Sequence, residues 1–336
     1  MKIFNNLHSR VNQNSGMFSR NYFGFLSLVF LFNVLNWNCF NPPDSVLSVS
    51  VSKIDASGTG IANGLAIIKV KGGGPPYAYQ WSNGGGSDSL RSNLLPGFYN
   101  VVVLDAFGYK DSVSFEIGII QWVQISAGTF TMGSPINEGD RESDEGPQHS
   151  VSLSGFKMSK YEVTFAQFDA FCDATGRQKP SDGGWGRGNR PVIDVEWYTA
   201  TAFAQRMGCR LPTEAEWEYA CRAGTTTPYH TGSSLNSSQA NSDNYVGKTV
   251  PVGSYSPNAW GLYDMHGNVV EWCSDWYGGY SSGAQTNPEG PSSGSYRVVR
   301  DGSWGHGGGM CRSAGRHYQE PGTHGNGIGF RLVVPN

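Results

Sequence analysis

The residues whose types could do chemistry are concentrated in a glycine-rich stretch, residues 261–272, which reads Gly-Leu-Tyr-Asp-Met-His-Gly-Asn-Val-Val-Glu-Trp. It contains two carboxylates, Asp264 and Glu271, and has neither a helical period nor a sustained strand alternation. Glycine allows backbone conformations closed to other residues, so peptide carbonyls there can be turned inward. Carboxylate and carbonyl oxygens are the ligands of hard cations. The stretch therefore indicates either a cation site or a tight turn whose aromatic side chains fill the core.

Other chemistry is poorly represented in the chain. No general acid/base pair, Ser-His-Asp arrangement or phosphate-binding loop is recognisable, and His149, His230 and His266 are isolated in sequence, so each is interpreted as a surface or packed histidine. No Cys-x-x-Cys pair is present, which argues against structural zinc. The net charge of −3 gives no electrostatic reason to expect a nucleic-acid partner.

The N-terminus has the order of a secretory signal, with basic residues before an apolar run over residues 23–35. We predict a leader over residues 1–39 and an exported protein, either periplasmic or at the cell surface. Cys39 follows the apolar run and resembles a bacterial lipoprotein acceptor, so a lipid on Cys39 is a possible membrane tether to the outer membrane.

Short β-type runs separated by glycine and proline turns follow the leader. The expected strands cover residues 65–70, 77–81, 99–103 and 112–117. We predict an all-β, immunoglobulin-like sandwich over residues 44–118. Its turn and aromatic pattern resembles the repeat of bacterial gliding adhesins, which implies a spacer or adhesive role.

The remaining residues, 119–336, are predicted to form a loop-rich domain with little regular structure. Three helices are expected, with these starts and ends: Thr164 to Gly176, Tyr198 to Met207, and Thr213 to Gly224. Over a hundred residues lie outside them, and the eight of the chain's ten tryptophans that fall in this domain argue against disorder there.

The order of motifs in residues 122–334 resembles the formylglycine-generating enzyme, or sulfatase-modifying factor, family. The matching text is Gly128–Ser134, Pro147–Val151, Tyr161–Thr164, Arg190–Trp197, Arg210–Gly224, Gly261–Trp272, Arg300–Trp304 and Gly329–Leu332. The resemblance implies an irregular α+β fold related to C-type lectins.

The resemblance also implies two calcium sites. Residue by residue, it places one calcium on Asp264, Gly267, Val269 and Glu271, with the glycine and the valine contributing carbonyl oxygens. It places the second on Asn241 and Ser242, although the later acidic partner of that site is not evident. Calcium is therefore the expected cofactor.

The chain departs from the family where the oxidising members carry two cysteines. Two thiolates are needed to bind copper(I). Counted from Ser303, the first position falls on His306 and only the second on a cysteine, Cys311; counted back from Gly329 through Arg316, neither cysteine is matched. Copper and formylglycine synthesis are therefore not expected. The alternative is a metal-dependent oxidase that acts on protein cysteine through His306 and Cys311, with Ser303 and Arg316 placing the substrate.

The favoured hypothesis is a non-catalytic binding protein with a calcium-stiffened frame. Its C-terminal loops are rich in glycine, histidine and small polar residues, as in retroelement-diversified display proteins, and such residues suit adaptable contacts. The predicted contact residues for a protein or glycan ligand are His306, Arg312, His317, Tyr318 and His324.

Overall fold

The computed structural model describes residues 46–335 except Asn83 and Gly85, so the predicted leader and Cys39 lie outside the described residues. Within the described part of the chain, no helix has the length and apolar character needed to cross a membrane.

The N-terminal unit consists of two three-stranded antiparallel sheets. The strands are β1 (Ser48–Ile54), β2 (Gly64–Lys71) and β4 (Leu90–Leu94) in one sheet, and β3 (Ala78–Trp81), β5 (Gly97–Leu104) and β6 (Lys110–Ile117) in the other. Alternate residues of β5 point inward and pack with Trp81 and Phe115 into one core. The Tyr99 and Phe115 rings stack 5.8 Å apart. The four predicted strands are present, whereas β1 and β4 were not predicted.

The second domain contains three further sheets and long irregular connections. Its strands are β7 (Trp122–Ile125), β8 (Gly128–Met132), β9 (His149–Leu153), β10 (Phe156–Ser159), β11 (Val270–Trp276), β12 (Gln285–Thr286), β13 (Arg297–Arg300), β14 (Arg316–Gln319), β15 (Ile328–Gly329) and β16 (Val333–Pro335). The sheet orders are β16-β10-β7, β12-β9-β8 and β14-β13-β11-β15. The four-stranded sheet carries the glycine-rich stretch at the start of β11 and the C-terminal loops beside β13 and β14. This sheet therefore positions most of the residues singled out in the sequence.

Three α-helices pack against these sheets: α1 (Phe165–Thr175), α2 (Trp197–Arg206) and α3 (Glu214–Arg222). Both expected capping boxes are formed, by Thr164 with Gln167 and by Thr213 with Glu216. Gly176 ends α1 in the left-handed conformation. The residue that does so for α3 is Ala223, with φ of 44°, and not Gly224 as the sequence suggested.

The two units share a hydrophobic core at their junction. Ile54 and Leu65 from the first sheet are fully buried in the same cluster as Phe165 and Phe168 of α1. Hydrogen bonds cross the junction as well, since Trp122 Nε1 donates to Ser57 O at 2.7 Å. The N-terminal unit is therefore packed onto the second domain through apolar side chains.

All five cysteines of the described residues are free and buried: Cys172, Cys209, Cys221, Cys273 and Cys311. The fold in this part of the chain is consequently held by packing and buried ion pairs, without a disulfide.

Candidate functional site

A cleft of 1130 Å³ lies between the acidic loop 140–144 and the C-terminal loops, with β14 along one wall. Six of the residues singled out in the sequence line it: Ser303, His306, Arg312, Arg316, His317 and Tyr318. The structure thus places these side chains, which come from separate loops and strands, around one cleft.

His324 lies away from the cleft. Its side chain is exposed, and its Nδ1 is 2.7 Å from Asp194 Oδ1, an ion pair when the ring is protonated. The prediction of one contact surface that includes His324 with the other four residues is therefore wrong for this residue.

Arg312 borders the cleft but does not have the predicted role of an exposed contact residue. Its side chain is 2% exposed, and its guanidinium lies 2.7 Å from Glu138 and 2.5 Å from Glu145. These two ion pairs anchor the acidic loop to the 3₁₀ turn over Gly308–Cys311. Hydrogen bonds to both carboxylates leave no freedom for ligand contact, so Arg312 holds the wall of the cleft in place.

His306 is held by Ser303. The Ser303 backbone N–H donates to His306 Nδ1 at 2.9 Å, and the Ser303 hydroxyl lies 3.1 Å from the same nitrogen. Because a backbone N–H can only donate, Nδ1 is the acceptor and the neutral ring carries its hydrogen on Nε2. Burial lowers the pKa of His306, so at neutral pH it offers the cleft a neutral, polar ring.

Cys311 lies behind the cleft and does not line it. Its thiol is fully buried against Gly302, where an added Cβ would approach Sγ to 2.4 Å. Burial is the main cause that raises the pKa of Cys311 well above its ordinary value. Since the thiolate is the form that attacks or binds soft metals, this thiol is poorly suited to either task.

Tyr318 offers the cleft an aromatic surface. It is 48% exposed, and its ring packs 4.5 Å from that of Tyr277 and 5.1 Å from that of Tyr296. The facing wall contributes Asp140, Glu142 and Asp144, which the sequence reasoning missed although the acidic run over residues 138–145 is visible in the sequence. The cleft thus presents aromatic, histidine and carboxylate groups to a ligand.

Buried carboxylates surround the glycine-rich stretch, and the sequence reasoning overlooked one of them. Glu162 is buried, and its Oε1 accepts from Asn268 Nδ2 at 3.1 Å. Burial and the neighbouring charges of Asp264 and Glu271 raise the pKa of Glu162 well above its usual range. Burial likewise raises the pKa of Asp264 to about 6. In the sequence, Glu162 is marked by its place in the Tyr-Glu-Val-Thr motif, residues 161–164.

These carboxylates fit a hard cation in one respect. Asp264 Oδ1 is buried and has no hydrogen-bond partner among the described residues, whereas Oδ2 accepts from Gly253 N at 2.6 Å. Gly267 has φ of 89° and approaches Asn241 so closely that a Cβ would lie 2.4 Å from its carbonyl oxygen. A buried carboxylate oxygen without a partner is the kind of group that a hard cation would satisfy.

Glu271 is engaged differently. Both its oxygens accept from Arg331, at 2.7–2.9 Å, and Trp217 Nε1 donates to Oε2 at 2.8 Å. Within the described ranges, no group of three or more His, Cys, Asp or Glu side chains could by itself hold a metal ion. A calcium here would consequently depend on backbone carbonyls, and its ligand set stays a prediction.

At the second predicted site, Asn241 Oδ1 is buried without a partner in the described part of the chain. Its Nδ2 donates to Lys248 O at 3.0 Å, and Ser242 Oγ donates to Asp243 Oδ2 at 3.0 Å. The second calcium site also stays a prediction.

Residues 116–335 match the family model of the sulfatase-modifying factor enzyme 1-like domain. The chain is 31% identical to the formylglycine-generating enzyme of Mus musculus, over 65% of this chain and 76% of the mouse protein. It is 37% identical to serine/threonine-protein kinase pkn1 of Chlamydia caviae, over 67% of this chain but only 39% of that protein. The chain thus spans about two fifths of these chlamydial relatives.

Solved structures give the same picture. PvdO from Pseudomonas aeruginosa is 32% identical, with a TM-score of 0.54 over 64% of this chain and 94% of that protein. Treponema denticola variable protein 1 is 28% identical, with a TM-score of 0.55 over 67% of this chain and 96% of that protein. Each likeness covers about two thirds of this chain and nearly the whole of the relative.

Proposed function

Because the chain belongs to the sulfatase-modifying factor family, as the match over residues 116–335 shows, we propose that it is an exported, non-catalytic member that binds a protein or glycan in the cleft. The observation that carries the proposal is the composition of the cleft wall: no cysteine is among the lining residues of the described chain. The thiol pair that the resemblance associates with oxidation is reduced to Cys311, which is buried behind that wall.

The cleft has the chemistry of a binding surface. Tyr318 supplies a flat apolar face, His306 and His317 supply neutral rings, and the acidic loop supplies acceptors. Aromatic side chains contribute large contact areas at low entropic cost, and histidine and carboxylate groups give direction through hydrogen bonds. The wall is fixed from behind by the Arg312 ion pairs, so the surface is organised before a ligand arrives.

In this proposal, calcium would stiffen the frame of the second domain. The ion would offset the buried charges of Asp264 and Glu162 and hold the glycine-rich stretch at the start of β11. That strand is hydrogen-bonded to both β13 and β15, which flank the cleft. Calcium is therefore proposed as a stiffening cofactor.

We also propose a role for each of the two structural units. We assign the two-sheet unit over residues 46–117 to an immunoglobulin-like module that spaces the cleft from the cell surface, and the second domain to a lectin-related frame. Attachment through a lipid on Cys39 would complete the arrangement. The similarity to a variable protein of Treponema denticola supports the version in which the C-terminal loops change between copies. A template repeat and a reverse transcriptase gene at the same locus would be expected for that version, and a locus without them would refute it.

The competing function is a metal-dependent oxidase, which the identity to formylglycine-generating enzymes favours. In that case His306 and Cys311 would hold the metal, with Ser303 and Arg316 placing the substrate. The purified protein, incubated with copper, oxygen and a Cys-x-Pro-x-Arg peptide, should leave the cysteine unchanged in the mass spectrum. Stoichiometric copper and conversion of the peptide would overturn the binding proposal.

A binding test complements the activity test. Arrays of glycans and of surface-protein peptides should retain the wild-type protein at a discrete set of ligands, and Tyr318→Ala should reduce that signal by about tenfold or more, as for an aromatic side chain at the centre of an interface. The matched control is His324→Ala, which lies outside the cleft and should bind like the wild type. Equal loss in both variants, or retention in both, would contradict the assignment of the cleft.

A further inference from the structure

A second cavity, of 280 Å³, lies beside β9, β11 and the start of α3 and is separate from the cleft, although Arg316 borders both. Its polar lining includes His149, Glu214, Asp275 and Glu289. The sequence reasoning interpreted His149 as an ordinary surface or packed histidine, and the proposed function does not use any of these four residues.

His149 lines this cavity and has an unsatisfied acceptor. The side chain is 4% exposed, and Nδ1 lies 3.1 Å from the carbonyl oxygen of Pro147. Because a carbonyl can only accept, Nδ1 carries the hydrogen, and the other nitrogen of the neutral ring has a free lone pair. That nitrogen, Nε2, is buried and has no partner among the described residues. A buried acceptor without a donor is costly, so a donor from outside the chain would be stabilising here.

Asp275 presents a second acceptor. Its Oδ2 accepts from Glu214 N at 2.9 Å and from Ser274 Oγ at 3.1 Å. No hydrogen bond from the described part of the chain reaches the other oxygen, Oδ1. Burial and the charge of Glu214 raise the pKa of Asp275 to about 7.

The charges around the cavity favour a cation. Glu214, Asp275 and Glu289 carry carboxyl groups, and the one cationic side chain among the described lining residues is Arg316. Its guanidinium is already paired with Glu214, with Nε 2.7 Å from Oε1. Arg300 lies behind the wall and is also committed, 3.2 Å from Glu214 and 2.6 Å from Glu218. Asp275 and Glu289 have no such partner within the lining; outside it, Arg210 interacts with both charges and Arg297 with that of Asp275.

Apart from Ser281 and Gln285, the remaining walls are apolar, and the space is small. The rings of Tyr280 and Trp276 and the side chain of Met132 line the cavity together with glycine and proline residues of the loop over 278–291. A volume of 280 Å³ is below the usual range for drug-sized ligands, about 300–1,000 Å³. The cavity therefore suits a short chain with one polar end.

We propose that this cavity binds a primary ammonium group on a short alkyl chain, such as the side chain of a lysine, with the N–H groups directed to His149 Nε2 and Asp275 Oδ1. The ammonium supplies both donors and positive charge, and the alkyl part lies against Tyr280 and Trp276. A metal ion is a poorer fit, because the described residues contain no group of three potential side-chain ligands that could hold one. The site is independent of the proposed function of the cleft.

The proposal is tested by NMR on protein with ¹⁵N-labelled histidine. Titration with butylammonium should shift the His149 Nε2 resonance in a saturable way, because the lone pair becomes a hydrogen-bond acceptor. Tetramethylammonium, a cation without N–H donors, and butyrate, a chain of similar length with the opposite charge, should leave it unchanged. Equal responses to the three probes, or no saturable response to butylammonium, would overturn the proposal.

Two variants locate the site. Asp275→Asn should weaken butylammonium binding by about tenfold, the usual effect of losing one charged hydrogen bond, and His149→Phe should weaken it at least as much when followed by calorimetry. His324→Phe is the matched control and should bind like the wild type. Because His149→Phe alters a buried ring, the fold of this variant is checked by near-ultraviolet circular dichroism. If His149→Phe does not fold, Asp275→Asn alone tests the proposal. Wild-type affinity in Asp275→Asn would refute the proposal.

Discussion

At the scale of single residues, Arg312 shows how a side chain chosen as a ligand contact can prove to be structural. We predict that Arg312→Ala lowers the free energy of unfolding by about 3–5 kcal/mol, because it leaves the buried carboxylates of Glu138 and Glu145 without a partner. Urea denaturation measures the change. Arg206→Ala, at an exposed position at the end of α2, is the matched control and should shift stability by no more than about 0.5 kcal/mol. Similar losses in both variants would contradict the role of Arg312.

The pH dependence of stability should report Asp275. Its pKa of about 7 in the folded protein is above the value of an unfolded aspartate, about 3.9. The folded state therefore binds the proton more tightly, and this contribution is fully present below pH 4 and is lost as the pH rises towards 7. The asparagine in Asp275→Asn cannot ionise. This variant should therefore remove up to about 4 kcal/mol of the decline in the free energy of unfolding between low and neutral pH.

Urea midpoints at pH 5 and pH 8 test this prediction, with Asp88→Asn at an exposed position as the control that should keep the wild-type slope. An unchanged slope in Asp275→Asn would show that burial of this carboxyl group does not govern the pH dependence.

The residue types at the site were predictable from the sequence, but their partners were not. Arg312 and Glu145 are 167 residues apart, and no local pattern reports that the acidic loop lies against the C-terminal loops. The same holds for Glu162, which meets Asn268 across 106 residues. Ser303 and His306 are three residues apart, and their contact arises within one turn. Contacts between residues that are close together in the chain could thus be predicted from the sequence, whereas contacts between distant residues could not.

At the scale of elements, the junction between the N-terminal unit and α1 has a measurable consequence. Ile54→Ala should destabilise by about 2–5 kcal/mol, since Ile54 is fully buried in the shared core. Because that core contains residues of both units, we expect one cooperative transition in calorimetry. Ile61→Ala, at a residue that is 48% exposed, is the matched control and should be close to neutral. Two separate transitions in the wild type would contradict the shared core.

The helices were predictable because their signals are local. Thr164 with Gln167, and Thr213 with Glu216, fix two helix starts within four residues each. Strand β1 alternates serine with valine and could have been recognised by its period, whereas β4, Leu90–Leu94, exposes most of its side chains and depends on pairing with β2. The short strands β12 and β15 have two residues each, so they are defined only by their pairing with neighbouring strands.

At the scale of the whole molecule, calcium should stabilise the second domain. At a free concentration a hundredfold above Kd, the gain would be about 2.7 kcal/mol, and a chelator should reverse it. Asp264→Asn should weaken the response, because it removes a charge while keeping an oxygen, and asparagine tolerates the φ of 54° at this position. The measurement is the melting temperature with and without calcium. Asp88→Asn should respond like the wild type, and a full calcium response in Asp264→Asn would show that the charge of Asp264 is not needed.

Most of the cleft wall comes from one short span of the chain, residues 303–328, while the opposite wall and the ion pairs behind it come from elsewhere. The residues of the recognition surface and those of the frame therefore lie in largely separate parts of the sequence. A single synthetic cassette that randomises the exposed positions of this span, and spares Arg312, Arg316 and the buried Cys311, would create a library of clefts on one unchanged scaffold. The protein is thus suited to directed evolution of new binding specificities.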